Sequence, residues 1–149
     1  MKSRPTGAYV LDSWALLAFV GDEPGSAKAE AALRHAEATH APLFLSVINA
    51  GEVYYRLLKG GARDLADEFV ADLRGQRLPI RVIPATNTRV WEAARIKAAH
   101  TIAYADAFAA ALAREVGRPV LTGDAEFAPL ERAGVCQVAW IGGSPRRKG

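Results

Sequence analysis

The sequence predicts a single α/β domain in three layers, with helices on both sides of a central, largely parallel sheet of five strands. Two observations lead to this fold class. Short apolar runs of strand length alternate along the chain with longer segments that carry helical periodicity or helix-capping residues. The chain has 149 residues, half of them apolar and 23% charged, which suits one domain with an ordinary buried core.

The first strand is predicted at Ala8–Leu11, a short apolar run that stops at Asp12. Asp12 or Ser13 caps the helix that follows, and this helix ends before Gly21. Four further elements are predicted in this half of the chain: a helix capped by Ser26 that runs to about Ala38, a strand at Pro42–Leu45, a helix from Ser46 to Lys59, and a helix from Asp64 to Arg74.

In the second half, two prolines bracket the predicted strand Ile80–Ile83 and place it at an edge of the sheet, because proline cannot donate to a central ladder. The other elements are a helix from Thr86 or Asn87 to Ala99, a helix over Tyr104–Glu115, and strands over Pro119–Thr122 and Val135–Trp140. Residues 1–141 are therefore assigned to one domain, and the basic segment 142–149 to a flexible tail.

Charge and composition narrow the function classes without selecting one. A net charge of +3 and a pI near 9.2 permit a nucleic-acid partner but do not establish it. Cys136 is the single cysteine, so no intramolecular disulfide can form, which favours a reducing cytoplasm. The three histidines lack the spacing of paired zinc ligands. The apolar stretch after Lys2 and Arg4 contains Asp12 and is too short for a membrane span, so we expect a soluble, unprocessed protein.

Four carboxylates stand at strand ends or within apolar sequence: Asp12, Glu52, Asp106 and Asp124. Asp12 and Asp124 directly follow predicted strands, and ligands of open α/β sheets bind beyond the carboxyl ends of strands. Asp106 is the only charged residue in the ten-residue segment Tyr104–Ala113. A carboxylate on such a face is costly to bury unless it is paired or bound to a metal.

Taken singly, each carboxylate also has a simpler interpretation. Asp12 and Asp124 suit helix caps or turns, and Asp106 suits the positive end of a helix dipole. Glu52 lies four residues before Arg56, which is the spacing of a surface ion pair. If the sheet brings all four together, charges about 4 Å apart repel by roughly 4 kcal/mol at an effective dielectric of 20, so the cluster needs a cation. All-oxygen ligands favour Mg²⁺ or Mn²⁺, and the fitting chemistry is attack of metal-activated water on a phosphodiester.

Four segments around these carboxylates form an ordered set that spans nearly the whole chain: Tyr9–Leu17, Ser46–Tyr55, Tyr104–Ala113 and Val120–Phe127. The set resembles the PIN-domain ribonucleases, and specifically the VapC-type toxins of bacterial and archaeal toxin–antitoxin pairs. The resemblance implies a five-stranded parallel sheet with the first strand central and the fourth beside it. It also implies endonucleolytic cleavage of RNA to 5′-phosphate and 3′-hydroxyl ends, a homodimer, and an antitoxin that covers the site.

The resemblance also assigns roles within the site. Asp12 and Asp106 are implied as the firmest ligands of Mg²⁺ or Mn²⁺, and Asp124 joins them directly or through water. Glu52 completes the acidic site. Three neighbours are expected to orient ligands and waters: Ser13, Asn49 and Thr122. Proximity in sequence to the acidic motifs suggests four cations for contact with the RNA backbone: Arg56, Lys59, Arg63 and Arg114.

Other phosphate-handling proteins fit the sequence less well. A haloacid dehalogenase phosphatase needs a second Asp two residues after Asp12, where this chain has Trp14. A phosphoryl-receiver module needs an acidic pair at the first strand and a lysine after the fifth, and neither is present. Two alternatives stay open at this point: a PIN-like module that binds RNA or a partner without cleavage, and a nuclease of RNA maturation that is not a toxin.

Overall fold

A computed structural model describes residues 9–21 and 25–141, so the first residues of the predicted first strand and the predicted basic tail lie outside the described residues. Five strands form one parallel sheet: β1 (Val10–Leu11), β2 (Leu43–Ser46), β3 (Ile80–Ile83), β4 (Val120–Thr122) and β5 (Val138–Trp140). Their order across the sheet is β3-β2-β1-β4-β5. The predicted sheet is confirmed: β1 is central, β4 lies beside it, and the proline-bracketed β3 lies at an edge.

Helices connect the strands, as the alternating sequence pattern predicts. The described helices are α1 (Ser13–Val20), α2 (Ser26–Thr39), α3 (Val47–Lys59), α4 (Arg63–Arg74), α5 (Asn87–Ala99), α6 (Tyr104–Val116) and α7 (Ala128–Arg132), with a 3-10 turn at Ala125–Phe127. Among the described residues, no helix has both the length and the apolar character needed to cross a membrane.

Alternation of side chains along the central strands separates the core into two halves. On one face of the sheet, Val10 and Val120 pack with buried residues of α5, α6 and α7. On the other face, Leu11 and Leu121 pack with buried residues of α1, α2, α3 and α4. The result is the predicted three-layer arrangement, in which both faces of the sheet are covered and its strand ends meet the ends of helices.

Of the four serine, threonine or aspartate residues predicted to start a helix as its cap, three are confirmed and one is wrong. Asp12, Ser46 and Thr86 each accept a hydrogen bond from a backbone N–H in the first turn of the helix that follows. The predicted cap at Ser26 is wrong, because Ser26 is already the first helical residue of α2 and Gly25 is the N-cap. Gly25 has φ = +97°, a left-handed conformation that glycine adopts without strain.

The sequence prediction misses the helical segment that joins β4 to β5, namely the 3-10 turn and α7. These pieces are too short to show helical periodicity. They are held by tertiary packing instead, since Phe127 and Leu130 are fully buried in the core. The chain then turns at Gly134, whose φ is +74°, and β5 begins at Val138 rather than at the predicted Val135.

Candidate active site

The pairing of β1 with β4 brings Asp12 next to Thr122. Leu11 is the partner of Leu121 in the parallel ladder, so the residues that follow in each strand lie side by side. The Thr122 hydroxyl donates to Asp12 Oδ2 at 2.5 Å, and Asp12 Oδ1 accepts from the Ala15 N–H at 2.9 Å. Asp12 and Thr122 are both fully buried. Each carboxylate oxygen of Asp12 therefore has a hydrogen bond, and the residue has no exposure to solvent.

Three other carboxylates come together in front of Asp12. Asp106 lies in the first turn of α6 and is buried, while Asp124 and Glu126 follow β4. One carboxylate oxygen from each of the three lies within 4.8 Å of the others. We call Asp106, Asp124 and Glu126 the carboxylate triad. Their spacing allows all three to contact one metal ion.

Two successive hydrogen bonds hold the loop after β4, and the first of them is to the Thr122 hydroxyl. The Asp124 N–H donates to Thr122 Oγ1 at 3.0 Å, and the Glu126 N–H donates to Asp124 Oδ1 at 2.9 Å. Thr122 thus receives a hydrogen bond from the loop and donates one to Asp12. One buried side chain therefore fixes the relative positions of the β1 carboxylate and the two triad members on this loop.

Burial, and to a smaller extent mutual repulsion, raise the pKa values of two carboxyl groups in this cluster. Burial raises the pKa of Asp12 to about 7, against the opposing hydrogen bonds from Thr122 and Ala15, and Asp124 adds a smaller increase. Burial also raises the pKa of Asp106 to about 8, with further increases from the charges of Asp124 and Asp12 and from Glu126. Carboxyl groups with such raised pKa values favour the binding of either protons or a cation.

Glu52 lies on α3 at the wall of the same site but outside the triad. Its Oε1 accepts from the Ser13 hydroxyl at 2.5 Å, and its Oε2 accepts from Arg56 Nε at 3.1 Å. Only 13% of the Glu52 side chain is exposed. The ion pair predicted as the simpler interpretation is therefore present, and both carboxylate oxygens of Glu52 have a hydrogen-bond partner.

Asn49 connects three helices behind Glu52. Its Nδ2 donates to the Ser13 hydroxyl and to the carbonyl oxygen of Ala105, both at 3.2 Å. Ala105 directly precedes Asp106, so this amide links α1, α3 and the start of α6. Asn49 is fully buried, and its Oδ1 has no hydrogen-bond partner among the described residues.

A groove of about 770 Å³ is lined by Glu52 and by the carboxylate triad, and Asp12 is not among its lining residues. Trp14 and Leu17 of α1 also line it, as do three residues of α3: Tyr55, Arg56 and Lys59. Of the four predicted RNA-contacting cations, the structure brings Arg56 and Lys59 to this groove. It does not bring the other two there: Arg63 lies 3.9 Å from Asp67 on α4, and Arg114 lines cavities elsewhere.

The site has no room for a side chain at Gly123. Its φ lies outside the left-handed region, so its backbone conformation does not require glycine. A Cβ at this position would lie only 2.5 Å from Cη2 of Trp14. The indole ring therefore packs directly on the backbone next to Asp124 and closes that side of the groove.

The structure thus brings the four predicted carboxylates to one site while each keeps its simpler local role as a cap, a first-turn residue or an ion pair. Sequence reasoning missed Glu126. It is part of the same motif segment as Asp124, but only the 3-10 turn carries its side chain back to Asp106. Acidic residues two apart in a loop were the signal that could have identified it.

The family model described as PIN domain matches residues 9–133 of the sequence. The chain belongs to the PIN domain family. This match covers all four motif segments and every carboxylate of the site. No curated protein sequence matches the chain.

Solved structures with the same fold support the family assignment. VapC20 of Mycobacterium tuberculosis, a sarcin-ricin loop cleaving toxin, is 19% identical, with a TM-score of 0.67 over 83% of this chain and 95% of that one. VapBC2 of Rickettsia felis, bound to a promoter DNA fragment, is 13% identical, with a TM-score of 0.68 over 89% and 98%. DNA-bound VapBC of Salmonella typhimurium is 16% identical, with a TM-score of 0.65 over 90% and 98%. At these identities the likeness is one of fold.

Proposed function

We propose that this PIN domain is a metal-dependent endoribonuclease that acts as the toxin of a type II toxin–antitoxin pair. The observation that supports the proposal most is the carboxylate triad, with its oxygens within 4.8 Å of one another in a groove. A surface that only bound RNA would gain nothing from negative charges facing phosphate. A cation bound by the carboxylate triad would offset the repulsion of phosphate and would activate water for hydrolysis.

The donor set fits Mg²⁺, with Mn²⁺ as an alternative. The triad offers oxygen ligands only, which hard divalent cations prefer. Burial, and to a smaller extent the neighbouring carboxylates, raise the pKa values of Asp12 and Asp106, and a bound cation would favour their ionised forms. We assign Asp106, Asp124 and Glu126 as the direct ligands. Asp12, which the resemblance names with Asp106 as the firmest ligand, is assigned a supporting role instead, because it is fully buried and has a hydrogen bond on each oxygen. Bound there, the ion supplies activation of water and neutralisation of charge on a phosphodiester.

The other side chains hold and orient this arrangement. Asp12 adds a buried negative charge behind the triad, and Thr122 keeps it in place through the short hydrogen bond. Ser13 orients Glu52, whose carboxylate faces the groove and can accept a hydrogen bond from water. Arg56 and Lys59 line the groove on the α3 side, and we assign them to contact with phosphates of the RNA strand.

The toxin role rests on the structural neighbours. VapC20 is described as a toxin, and the Rickettsia and Salmonella structures are VapBC complexes. A further neighbour is a toxin–antitoxin complex from Klebsiella pneumoniae, with a TM-score of 0.60. We therefore propose a VapB-like antitoxin as the partner, together with a homodimer and a cytoplasmic site of action. RNA maturation is the alternative role, and a short antitoxin-like reading frame beside the gene would favour the toxin.

The decisive experiment measures cleavage of mixed RNA pools by the purified protein with Mg²⁺, Mn²⁺ or EDTA. Asp106→Asn and Glu126→Gln should each reduce cleavage at least tenfold, and end analysis should show 5′-phosphates and 3′-hydroxyls. Asp64→Asn is the matched control, because Asp64 is exposed on α4 and lies outside the groove. If folded wild-type protein cuts no more RNA than the triad variants, the enzyme proposal is wrong, and the non-cleaving binding module becomes the better interpretation.

A further inference from the structure

One face of α3 presents a row of groove-lining side chains beyond the carboxylates. Glu52 lies three and four residues before Tyr55 and Arg56, Lys59 lies four and three residues after them, and all four line the groove. Residues at these spacings are neighbours on a helix surface, with Cβ atoms about 5–6 Å apart. Tyr55 is therefore one helical turn from Glu52 and one turn from Lys59.

Tyr55 is unusually exposed for an aromatic residue. Its exposed fraction is 53%, and among the described residues only Trp91 and Tyr104 are other aromatic side chains of comparable exposure. Neither of those two lines the groove, and the ring of Tyr104 packs edge-on against Phe108 with centroids 5.1 Å apart. Among the described residues, Tyr55 is thus the strongly exposed aromatic residue that lines the groove together with the carboxylates.

The surroundings of Tyr55 are cationic on the side away from the triad. Desolvation lowers the pKa of Arg56, but the adjacent Glu52 and Tyr55 side chains raise it by more, so the guanidinium stays charged beside the ring. Lys59 lies in the next turn and is exposed. An exposed aromatic ring next to cations is an arrangement with which proteins bind single-stranded nucleic acids, the cations contacting phosphates and the ring a base.

We propose that Tyr55 is the platform on which an unpaired base of the substrate stacks, which selects a single-stranded segment at the cleavage point. The proposal rests on the proposed ribonuclease function and adds to it the residue that distinguishes unpaired from paired RNA. In a duplex both faces of each base are covered by its stacked neighbours, so Tyr55 has no face to contact. Because every base has an aromatic face, this contact selects strandedness and not base identity.

The test measures RNA binding with Ca²⁺ in place of Mg²⁺, so that the carboxylates facing the RNA are neutralised, and gel electrophoresis verifies that the probe stays intact during the measurement. The probe is a 12-nucleotide RNA with 2-aminopurine at its centre, used either single-stranded or annealed to its complement. Fluorescence anisotropy gives the affinity, and quenching of 2-aminopurine reports stacking on the ring. The variants are Tyr55→Ala, Tyr55→Phe and, as the matched control for loss of an exposed aromatic residue, Trp91→Ala. Thermal melting verifies that each variant is folded.

We expect Tyr55→Ala to weaken single-strand binding about 5- to 100-fold, the range that loss of one stacked base predicts, and to abolish the quenching. Tyr55→Phe should retain both within about threefold, and Trp91→Ala should match the wild type. Duplex binding should not change in the Tyr55 and Trp91 variants. Lys59→Ala, a further variant that removes a groove cation and keeps the ring, should weaken binding of both probes. If Tyr55→Ala binds the single strand as tightly as the wild type while Lys59→Ala binds it more weakly, the stacking role is wrong and RNA binding at the groove stands. If the wild type neither binds nor cuts RNA, the proposed function and the stacking role both fail.

Discussion

Replacement of Asp12 by Asn should stabilise the metal-free protein, and it should do so strongly only at high pH. The side chain is fully buried, and burial raises its pKa from the ordinary 3.8 to about 7. The folded state therefore binds this proton more tightly than the unfolded state. Ionisation of Asp12 costs folding free energy that is absent below about pH 4 and complete above about pH 7.

The size of the effect follows from the pKa difference. A shift of one pKa unit corresponds to about 1.4 kcal/mol, so the ionised carboxylate destabilises the fold by about 4 kcal/mol at pH 8 and by about 1.5 kcal/mol at pH 5. Asn keeps the shape and the bond from Ala15 but weakens the bond with Thr122, which costs about 1 kcal/mol. We expect a net stabilisation of about 3 kcal/mol at pH 8 and a value close to zero at pH 5.

Urea unfolding in EDTA at pH 5 and pH 8 measures both free energies of unfolding. Asp64→Asn removes the same charge from an exposed position on α4 and serves as the control, with a change of less than about 1 kcal/mol that is equal at both pH values. A similar destabilisation by Asp12→Asn at both pH values would refute the reasoning, because it would mean that the buried carboxylate has no ionisation penalty in the folded state.

Three further predictions concern the metal and the packing around it. Mg²⁺ at 100 times its Kd should raise the Tm by about 5–10 °C, and Asp106→Asn should remove most of this rise in a thermal-shift titration. Gly123→Ala should cost about 1–3 kcal/mol in urea unfolding and weaken Mg²⁺ binding, because the added Cβ meets the Trp14 ring, whereas Gly51→Ala, which meets nothing within 4 Å, should be neutral or slightly stabilising. Thr122→Val should cost about 1–3 kcal/mol at pH 8, because it removes a buried hydroxyl that makes two hydrogen bonds.

Each of these predictions has an outcome that contradicts it. An equal Tm rise in wild type and Asp106→Asn would place the metal away from the triad. Equal effects of Gly123→Ala and Gly51→Ala would show that Trp14 moves aside without cost. A neutral Thr122→Val would show that the loop after β4 does not depend on this hydroxyl.

Local sequence signals predicted most of the fold. The caps at Asp12, Ser46 and Thr86 and the proline-bracketed edge strand are decided within a few residues, and the structure confirms them. The cap of α2 and the helix before β5 could not be predicted in this way. Gly25 begins α2 in a left-handed conformation next to Trp14 and Ile141, and α7 is held by burial against distant parts of the core.

The sequence by itself determined the chemistry available to this protein: carboxylates directly after β1 and β4, one carboxylate in an apolar segment, and one on α3. Only the tertiary structure decided which of them meet. The register of β1 with β4 places Asp12 beside Thr122, and the turn after β4 adds Glu126 to Asp106 and Asp124. The physical reason is that caps and strands depend on neighbours in the chain, whereas a metal site depends on distances between residues about 20 to 110 positions apart, which are set by packing across the sheet.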